Sequence, residues 1–387
     1  MTVNALRVGI VGAGIGGLTL AHALQRRGIG VTVFERDSGP QATAGYRLHL
    51  PATAFTALAE VLPAASVRAL RECGAGNDSF RQFAVLDHRG RVRLRIPIEH
   101  AGEALLIGRR PLRAVLARGL GDVIRWNTTV SGWTASPDGV ELADGSRFDL
   151  LVAADGTGSR AARRLLGRST ARRSGFIGIA GRSPLPQRIP ADLRRGLAFM
   201  VGPGGVGAFL SLHGEHGRDP AAEHPYVVWS VSARLDDPDA DLAGQAHRLT
   251  ARWSDDFHTL IDRSEPGSVA AFPFHFPAAL GPWASGPVTL LGDAVHPMPP
   301  TAGAGAGTAI LDAAYLAEDL GTRPVREALA AYRTRLLTYA PAAVDEARPA
   351  LLWQRRLENP MLYALAVRLA LPAVDAGLRL VRRGRPW

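Results

Sequence analysis

The chain contains no lysine, so its net charge of +10 rests on arginine alone. The arginine pairs (Arg26–Arg27, Arg109–Arg110, Arg194–Arg195, Arg355–Arg356) are scattered. A nucleic-acid binder would gather them on one element with aromatics for stacking, so no nucleic-acid partner is expected. With its many alanines and glycines, the arginine bias reflects a GC-rich coding sequence more than a physical need. Cysteine is nearly absent too. The single Cys73 excludes an internal disulfide and suits a reducing, cytoplasmic setting. One cysteine and scattered histidines give no metal site. The opening "MTVNALRVGIVGAG" lacks a basic leader and a cleavage site, so no signal peptide is expected. Repeats and low-complexity segments are also missing.

A long uncharged apolar run is the last absence. The C-terminal "MLYALAVRLALPAVDAGLRLVRRGRPW" comes nearest, but Arg368, Pro372, Asp375 and Arg379 interrupt it. A spanning helix needs about 20 mostly uncharged residues. A kinked helix packing on the protein body or on a partner subunit is expected, not membrane contact. The other reading is an interfacial amphipathic anchor with a basic tail.

What is present is ordinary for a globular protein: 387 residues, 47% hydrophobic and 21% charged, enough for two domains or one two-part fold. The segment "LRVGIVGAGIGGLTLAHALQRRGIGVTVFERD" predicts strand, tight glycine turn, helix closed by Gly28, and a second strand ending in Glu35. From about Val123 to Ala153, short alternating runs separated by "SPDG" and "ADGS" predict a small antiparallel meander. Residues 174–275 change to strand-rich sequence with one helix around Ala243 to Ile261, and "SGPVTLLGDA" then returns to the earlier logic. The predicted fold class is α/β: a Rossmann-type nucleotide-binding domain, an inserted mostly antiparallel β domain, and C-terminal helices. Its expected segments are 1–173, 174–275, 276–350 and a C-terminal helix over 351–387.

Gly12, Gly14 and Gly17 form G-x-G-x-x-G between a strand and a helix. That arrangement permits a tight turn, close approach of a pyrophosphate, and close helix packing. The helix start, Ile15 and Gly16 included, offers free N–H groups to phosphate. Glu35, followed by Arg36, stands where an acid accepts from ribose hydroxyls. The triplet alone does not separate NAD from FAD. Two further apolar strands end in Asp155 ("VAADGTGS") and Asp293 ("LLGDAVHPMPPTAGAGAG"). In an open parallel sheet, ligands lie beyond the carboxyl ends of the strands, so Glu35, Asp155 and Asp293 should converge.

These three motifs, in this order, resemble the class A flavin monooxygenases of the p-hydroxybenzoate hydroxylase type over nearly the whole chain. The resemblance implies FAD as cofactor and NADPH or NADH as co-substrate. It also implies transfer of one oxygen atom from O2, by way of a flavin C4a-hydroperoxide, to an aromatic or polycyclic small molecule, by hydroxylation before other oxygenations. Arg47 and Arg109 match its flavin-contacting arginines, and Val130 its adenine contact. Asp293 would hold a ribityl or ribose hydroxyl, Pro299 and Pro300 stiffen the chain beside the flavin, and Gly303, Gly305 and Gly307 admit the ring edge. Two positions depart from the pattern: Ala162 replaces a usual arginine and Gly307 a usual asparagine. His296 is read as structural, and no catalytic residue is assigned.

Substrate-pocket candidates on the inserted sheet are Arg182, Phe209, His213, Trp229, Phe274 and His275. The arginine run Ser159–Arg173 is either a solvated helix face or an electrostatic funnel that favours NADPH. A flavin halogenase shares the fold but needs a lysine, which this chain lacks. A flavin-dependent reductase of isoprenoid double bonds, or a redox-inert flavin-fold protein binding a biosynthetic intermediate, are the alternatives. Monomer and homodimer are both compatible with the sequence.

Overall fold

The computed structural model of the chain describes residues 6–43, 45, 47–186, 191–214, 217–278, 280–300 and 303–383. The C-terminal tip of the expected last helix, and Thr301 and Ala302 of the third motif, lie outside these.

Apolar strands, Leu150–Ala153 and Val288–Leu290 buried throughout, build a five-stranded parallel sheet, as such composition favours. Its order is Val288–Leu290, Leu150–Ala153, Arg7–Val11, Gly30–Phe34 and Ile124–Arg125. The glycine turn feeds the helix Ile15–Gln25, buried from Ile15 to Leu24. Gly28, at φ +73°, turns the chain back into the second strand. The helix Ala304–Thr322 packs against the first helix, with Ala309 against Gly16. The meander is present but shorter than predicted, over Trp133–Ser136, Gly139–Leu142 and Arg147–Phe148. Ile124–Arg125 and Leu150–Ala153 join the parallel sheet instead.

A seven-stranded sheet roofs this part, in the order Ala270–Pro277, Ala171–Pro184, Tyr226–Arg234, Gly207–His213, Gly196–Val201, Gln82–Asp87 and Val92–Pro97. All neighbours are antiparallel except Gly196–Val201 with Gln82–Asp87. The sheet is thus not confined to 174–275. Two strands come from within the first segment, because Phe83 finds its partner Leu197 only after the chain folds back.

Its outer face is covered by two helices, Leu242–Leu249 and Asp255–Asp262, where one was predicted. The break at Thr250–Ser254 has a local cause. The Thr250 hydroxyl bonds back to the Ala246 carbonyl, Ser254 stands at the N-cap of the second helix, and Asp255 and Asp256 fill its first turn. Leu210, Val227, Trp229, Val231, Trp253 and Phe257 form the core between sheet and helices.

After the long helix Val325–Arg356, the chain continues as Pro360–Leu365, a π-helical turn at Ala366–Ala370, and Leu371–Arg383. The kink has its reason in Pro372. A proline offers no N–H and crowds the carbonyl four residues back, so the ladder widens just before it.

Candidate functional site

The glycines of the first motif separate by what a side chain would meet. At Gly12 (φ +108°) a Cβ would lie 2.4 Å from the Ala154 carbonyl oxygen, and at Gly17 it would lie 2.0 Å from that of Gly12. Gly16 is pressed against Leu291, 2.5 Å from its would-be Cβ. Gly12 and Gly17 are required by the chain's own backbone, and a side chain at Gly16 would have to displace the Leu291 methyl. Gly14 is different: its φ is an ordinary −76°, and nothing lies within 4 Å of a Cβ there. No side chain caps the helix that starts beside it. Nothing in the protein requires a glycine at this point, whereas a phosphate approaching bare N–H groups would.

Glu35 closes the second strand and is buried. It accepts from Ala13 N (2.7 Å) and Asp37 N (3.0 Å) and pairs with Arg113 at 3.1 Å. A carboxylate offers about four acceptor positions, so one remains for a ribose hydroxyl. Arg113 is the residue that sequence reading missed here. It is buried, donates to Ala13 O (2.8 Å) and pairs with Asp37 (2.7 Å), which clamps the acid in place. Its spacing of one helical turn from Arg109 on Arg109–Ala117 was the available signal. Arg36 is exposed beside Glu35, and Val130 is half-buried against the meander.

The three strand ends meet. Gly12 abuts Ala154 and Asp155, the Thr157 side chain hydrogen-bonds Asp293, and a Cβ at Gly305 would stand 3.7 Å from Asp293 Oδ1. Burial pushes the Asp293 carboxyl up, while His296 and Arg109 oppose that. Burial likewise pulls the Arg47 guanidinium down to about 10 and lowers that of Arg109, the latter opposed by Asp293. Among the described residues no carboxylate forms an ion pair with Arg47; its Nη1 donates to Ser211 Oγ at 3.0 Å. Arg47 Nε, Arg109 Nε and Asp155 Oδ1 are buried without a hydrogen-bond partner. Two unmatched donors on cations and one unmatched acceptor suit a ligand with both anionic and hydroxyl groups, which FAD provides. The residues present fit that cofactor.

Of the third motif, Gly303 takes φ +66° at the uncapped start of Ala304–Thr322. Gly307 has an internal reason, since a Cβ there would stand 3.2 Å from Pro51. Pro300 is exposed.

Between the two parts lies a cavity of about 230 Å³. Thr43, Gly45, Arg109 and Arg110 line one side, and Arg182, Glu223, Tyr226, Gly267, Ser268 and Ala270 the other. Strand alternation decides which candidates reach it. In Tyr226–Arg234, Val227, Trp229 and Val231 enter the outer core, so Tyr226 faces inward. Trp229 is therefore corrected: it is fully buried on the far face and donates to Ser264 Oγ at 3.0 Å. Phe209 is half-buried on the inner face with Ser211 and His213. His213 stacks on Tyr226 at 4.4 Å, one layer behind the cavity wall. Phe274 packs with Phe176 and Leu351, and His275, lowered by burial, is not among the cavity-lining residues.

Arg182 does line the cavity, and it brings two residues that sequence reading missed. Its Nη1 pairs with Glu223 Oε1 at 2.9 Å, it also pairs with Glu265, and its guanidinium lies 5.4 Å over the Tyr226 ring. The Tyr226 hydroxyl donates to Glu223 Oε2 at 2.8 Å. Burial, then the Glu223 charge, pushes the phenol well above its ordinary value, so it stays protonated.

The FAD binding domain family matches residues 120–348, and an NAD(P)-binding Rossmann-like domain matches residues 10–63. The chain is 29% identical over 332 residues to "Aurachin C monooxygenase/isomerase" of Stigmatella aurantiaca, covering 82% of this chain and 81% of that one. It is 29% identical over 337 residues to the chloroplastic zeaxanthin epoxidase of Oryza sativa subsp. japonica, covering 81% of this chain but only 48% of the epoxidase. A solved chain from Photorhabdus luminescens subsp. laumondii TTO1 is 29% identical with a TM-score of 0.75, covering 92% of this chain and 98% of that one. Klebsiella pneumoniae HpxO, solved with FAD and uric acid, shares the fold at 22% identity and a TM-score of 0.77, covering 93% of this chain and 92% of that one.

Proposed function

The chain belongs to the FAD-dependent monooxygenases of class A, and on that premise we propose that it hydroxylates an aromatic or polycyclic small molecule bearing an ionisable hydroxyl. The observation that carries this reading is the cavity walled by Gly45 and Arg109 on the nucleotide side and by Arg182, Glu223 and Tyr226 on the roof.

When bound, FAD supplies the redox chemistry: two electrons from NAD(P)H, and activation of O2 so that one atom enters the substrate and the other leaves as water. The protein supplies position and exclusion of water. Gly14 and the uncapped helix start would receive the pyrophosphate, Glu35 the adenosine ribose, and Asp293 a hydroxyl further along. Arg47 and Arg109 would offer their unmatched N–H groups to the cofactor's polar atoms. The start of Ala304–Thr322 would present its positive dipole end to the flavin, which favours negative charge on the ring.

Tyr226 and Glu223 support hydroxylation over epoxidation. A substrate hydroxyl donating to the Tyr226 oxygen would pass its proton along that hydrogen bond to Glu223 Oε2. Arg182 pairs with Glu223 and holds it in place to receive it. Loss of that proton makes the substrate electron-rich where an electrophilic oxygen attacks, whereas epoxidation of an olefin has no such proton to remove. The roof sheet closes over the cavity and limits access of bulk water.

The test is NADPH oxidation by the purified yellow protein, screened with phenols and polycyclic hydroxy-compounds under ¹⁸O2. One labelled oxygen per product, with oxidation stimulated by the substrate, supports the reading. Oxidation that no phenol stimulates, or unlabelled product, overturns it.

A further inference from the structure

The expectation that the C-terminal helix packs against the body is met by one of its faces only. Tyr363, Val367, Leu371 and Leu378 join Leu94 and Val85 of the roof sheet, at the four- and three-residue steps of a helical stripe. Asp375 lies on the same stripe and accepts from Arg95 N at 2.8 Å, while Tyr363 contacts His88 Nδ1 at 2.7 Å. The helix is therefore held flat along the edge of the molecule, from its first turn to its last.

The other face is bare. Met361 is 81% exposed, Leu365 53%, Leu369 64% and Leu380 69%, with Leu362 and Val374 also exposed. The segment Pro360–Leu380 is long and apolar enough to cross a membrane, yet only 11% of its most apolar window is buried. Large apolar side chains gathered on one exposed helix face mark an interaction surface.

Charge on the segment has one exposed sign. Its only acid, Asp375, is buried and committed to Arg95 and Arg379. Arg368 is exposed, Arg379 is largely so, and the exposed Arg355 and Arg356 stand just before the segment. Docking of a second copy face to face would set arginine against arginine, with no exposed acid on the segment to meet them. An anionic lipid surface satisfies both features, because it accepts the leucines among its acyl chains and the guanidinium groups among its headgroups.

We propose that Pro360–Leu380 is an in-plane docking face by which this enzyme binds reversibly to membranes rich in anionic lipid. The helix lies in the interface and does not span, because its inner stripe stays on the roof sheet. This site is remote in kind from the flavin and substrate residues and does not depend on which substrate is oxidised.

The experiment is flotation of the full FAD-loaded protein with vesicles of phosphatidylcholine alone or of phosphatidylcholine with 30% phosphatidylglycerol. Binding is expected to the anionic vesicles, weaker in high salt, and weak or absent on the neutral ones. Leu365→Glu/Leu369→Glu should abolish it while leaving flavin content and substrate-stimulated NADPH oxidation in solution unchanged. Arg368→Gln should weaken it about 5-fold. The proposal is overturned by absence of binding to either vesicle, by equal binding to both, or by a dimer in solution that the double glutamate variant splits.

Discussion

His296 Nε2 lies 2.7 Å from Asp312 Oδ2, and both side chains are fully buried. Asp312 also accepts from Gly292 N at 2.8 Å and from the Tyr339 hydroxyl. One acid on Ala304–Thr322 thus holds the turn that carries Asp293. Burial alone would depress the imidazole, but Asp312, with Asp293 behind it, raises it above the ordinary 6.5. A histidine raised on folding contributes fully below its unfolded value and loses that contribution as pH climbs through its folded value. The stability difference between the parent and His296→Gln should therefore be largest near pH 6 and shrink toward pH 9. Asp312→Asn strands a buried cation and should cost about 3–5 kcal/mol. Denaturant melts across pH test both, and a His296→Gln deficit that grows with pH would contradict the pairing.

Gly14 and Gly17 should respond oppositely to alanine. A methyl at Gly17 would stand 2.0 Å from the Gly12 carbonyl oxygen, so Gly17→Ala should destabilise the protein with or without FAD. A methyl at Gly14 meets nothing. Apoprotein carrying Gly14→Ala should melt within about 1 kcal/mol of the parent, the lost chain entropy and the poorer N-cap offsetting one another. Its FAD affinity should nonetheless fall by roughly tenfold or more. Calorimetry of apoprotein beside flavin titration separates the two, and unchanged FAD binding by Gly14→Ala removes the phosphate from that place.

What could be read from the sequence was local. Gly12, Gly14 and Gly17, and the acids at Asp155 and Asp293, announce themselves because strand, turn and helix follow within a few residues. The misread features depend on distant partners. Gln82–Asp87 joins the roof only through Gly196–Val201, and no pattern within the earlier strand names that partner. Trp229 and Tyr226 were not separable by alternation, because Tyr226–Arg234 is buried on both faces nearly throughout. Glu223 precedes its strand in a loop, and Arg113 looks like any arginine until Glu35 and Asp37 are seen to close on it.

Asp293 should govern cofactor retention. The Thr157 side chain and the first turn of Ala304–Thr322 approach it from two sides, and its half-buried carboxyl stands at the meeting point of the strand ends. Removing a charged hydrogen-bond acceptor typically costs about 1.5–3 kcal/mol. Asp293→Ala should then bind FAD about 10–100-fold more weakly and purify with little colour. Flavin released per chain on heating, read at 450 nm, checks this; full flavin content in the variant would remove Asp293 from the cofactor site.

Tyr226→Phe tests the proton route apart from the cofactor. The ring and its stack on His213 persist in phenylalanine, and Arg182 continues to neutralise Glu223, so folding and flavin content should be unchanged. What disappears is the hydroxyl that joins a substrate to Glu223 Oε2. Because that phenol is held well above its ordinary value, it acts as a neutral relay throughout the working range. With a phenolic substrate, product formation should fall on the order of 100-fold. NADPH oxidation should fall less, so that more of it ends as peroxide. The deficit should narrow as pH rises and more substrate arrives already ionised, since an ionised hydroxyl has no proton to hand over. Product and peroxide measured per NADPH, from pH 6 to 9, give the answer. A deficit independent of pH would assign Tyr226 to packing alone.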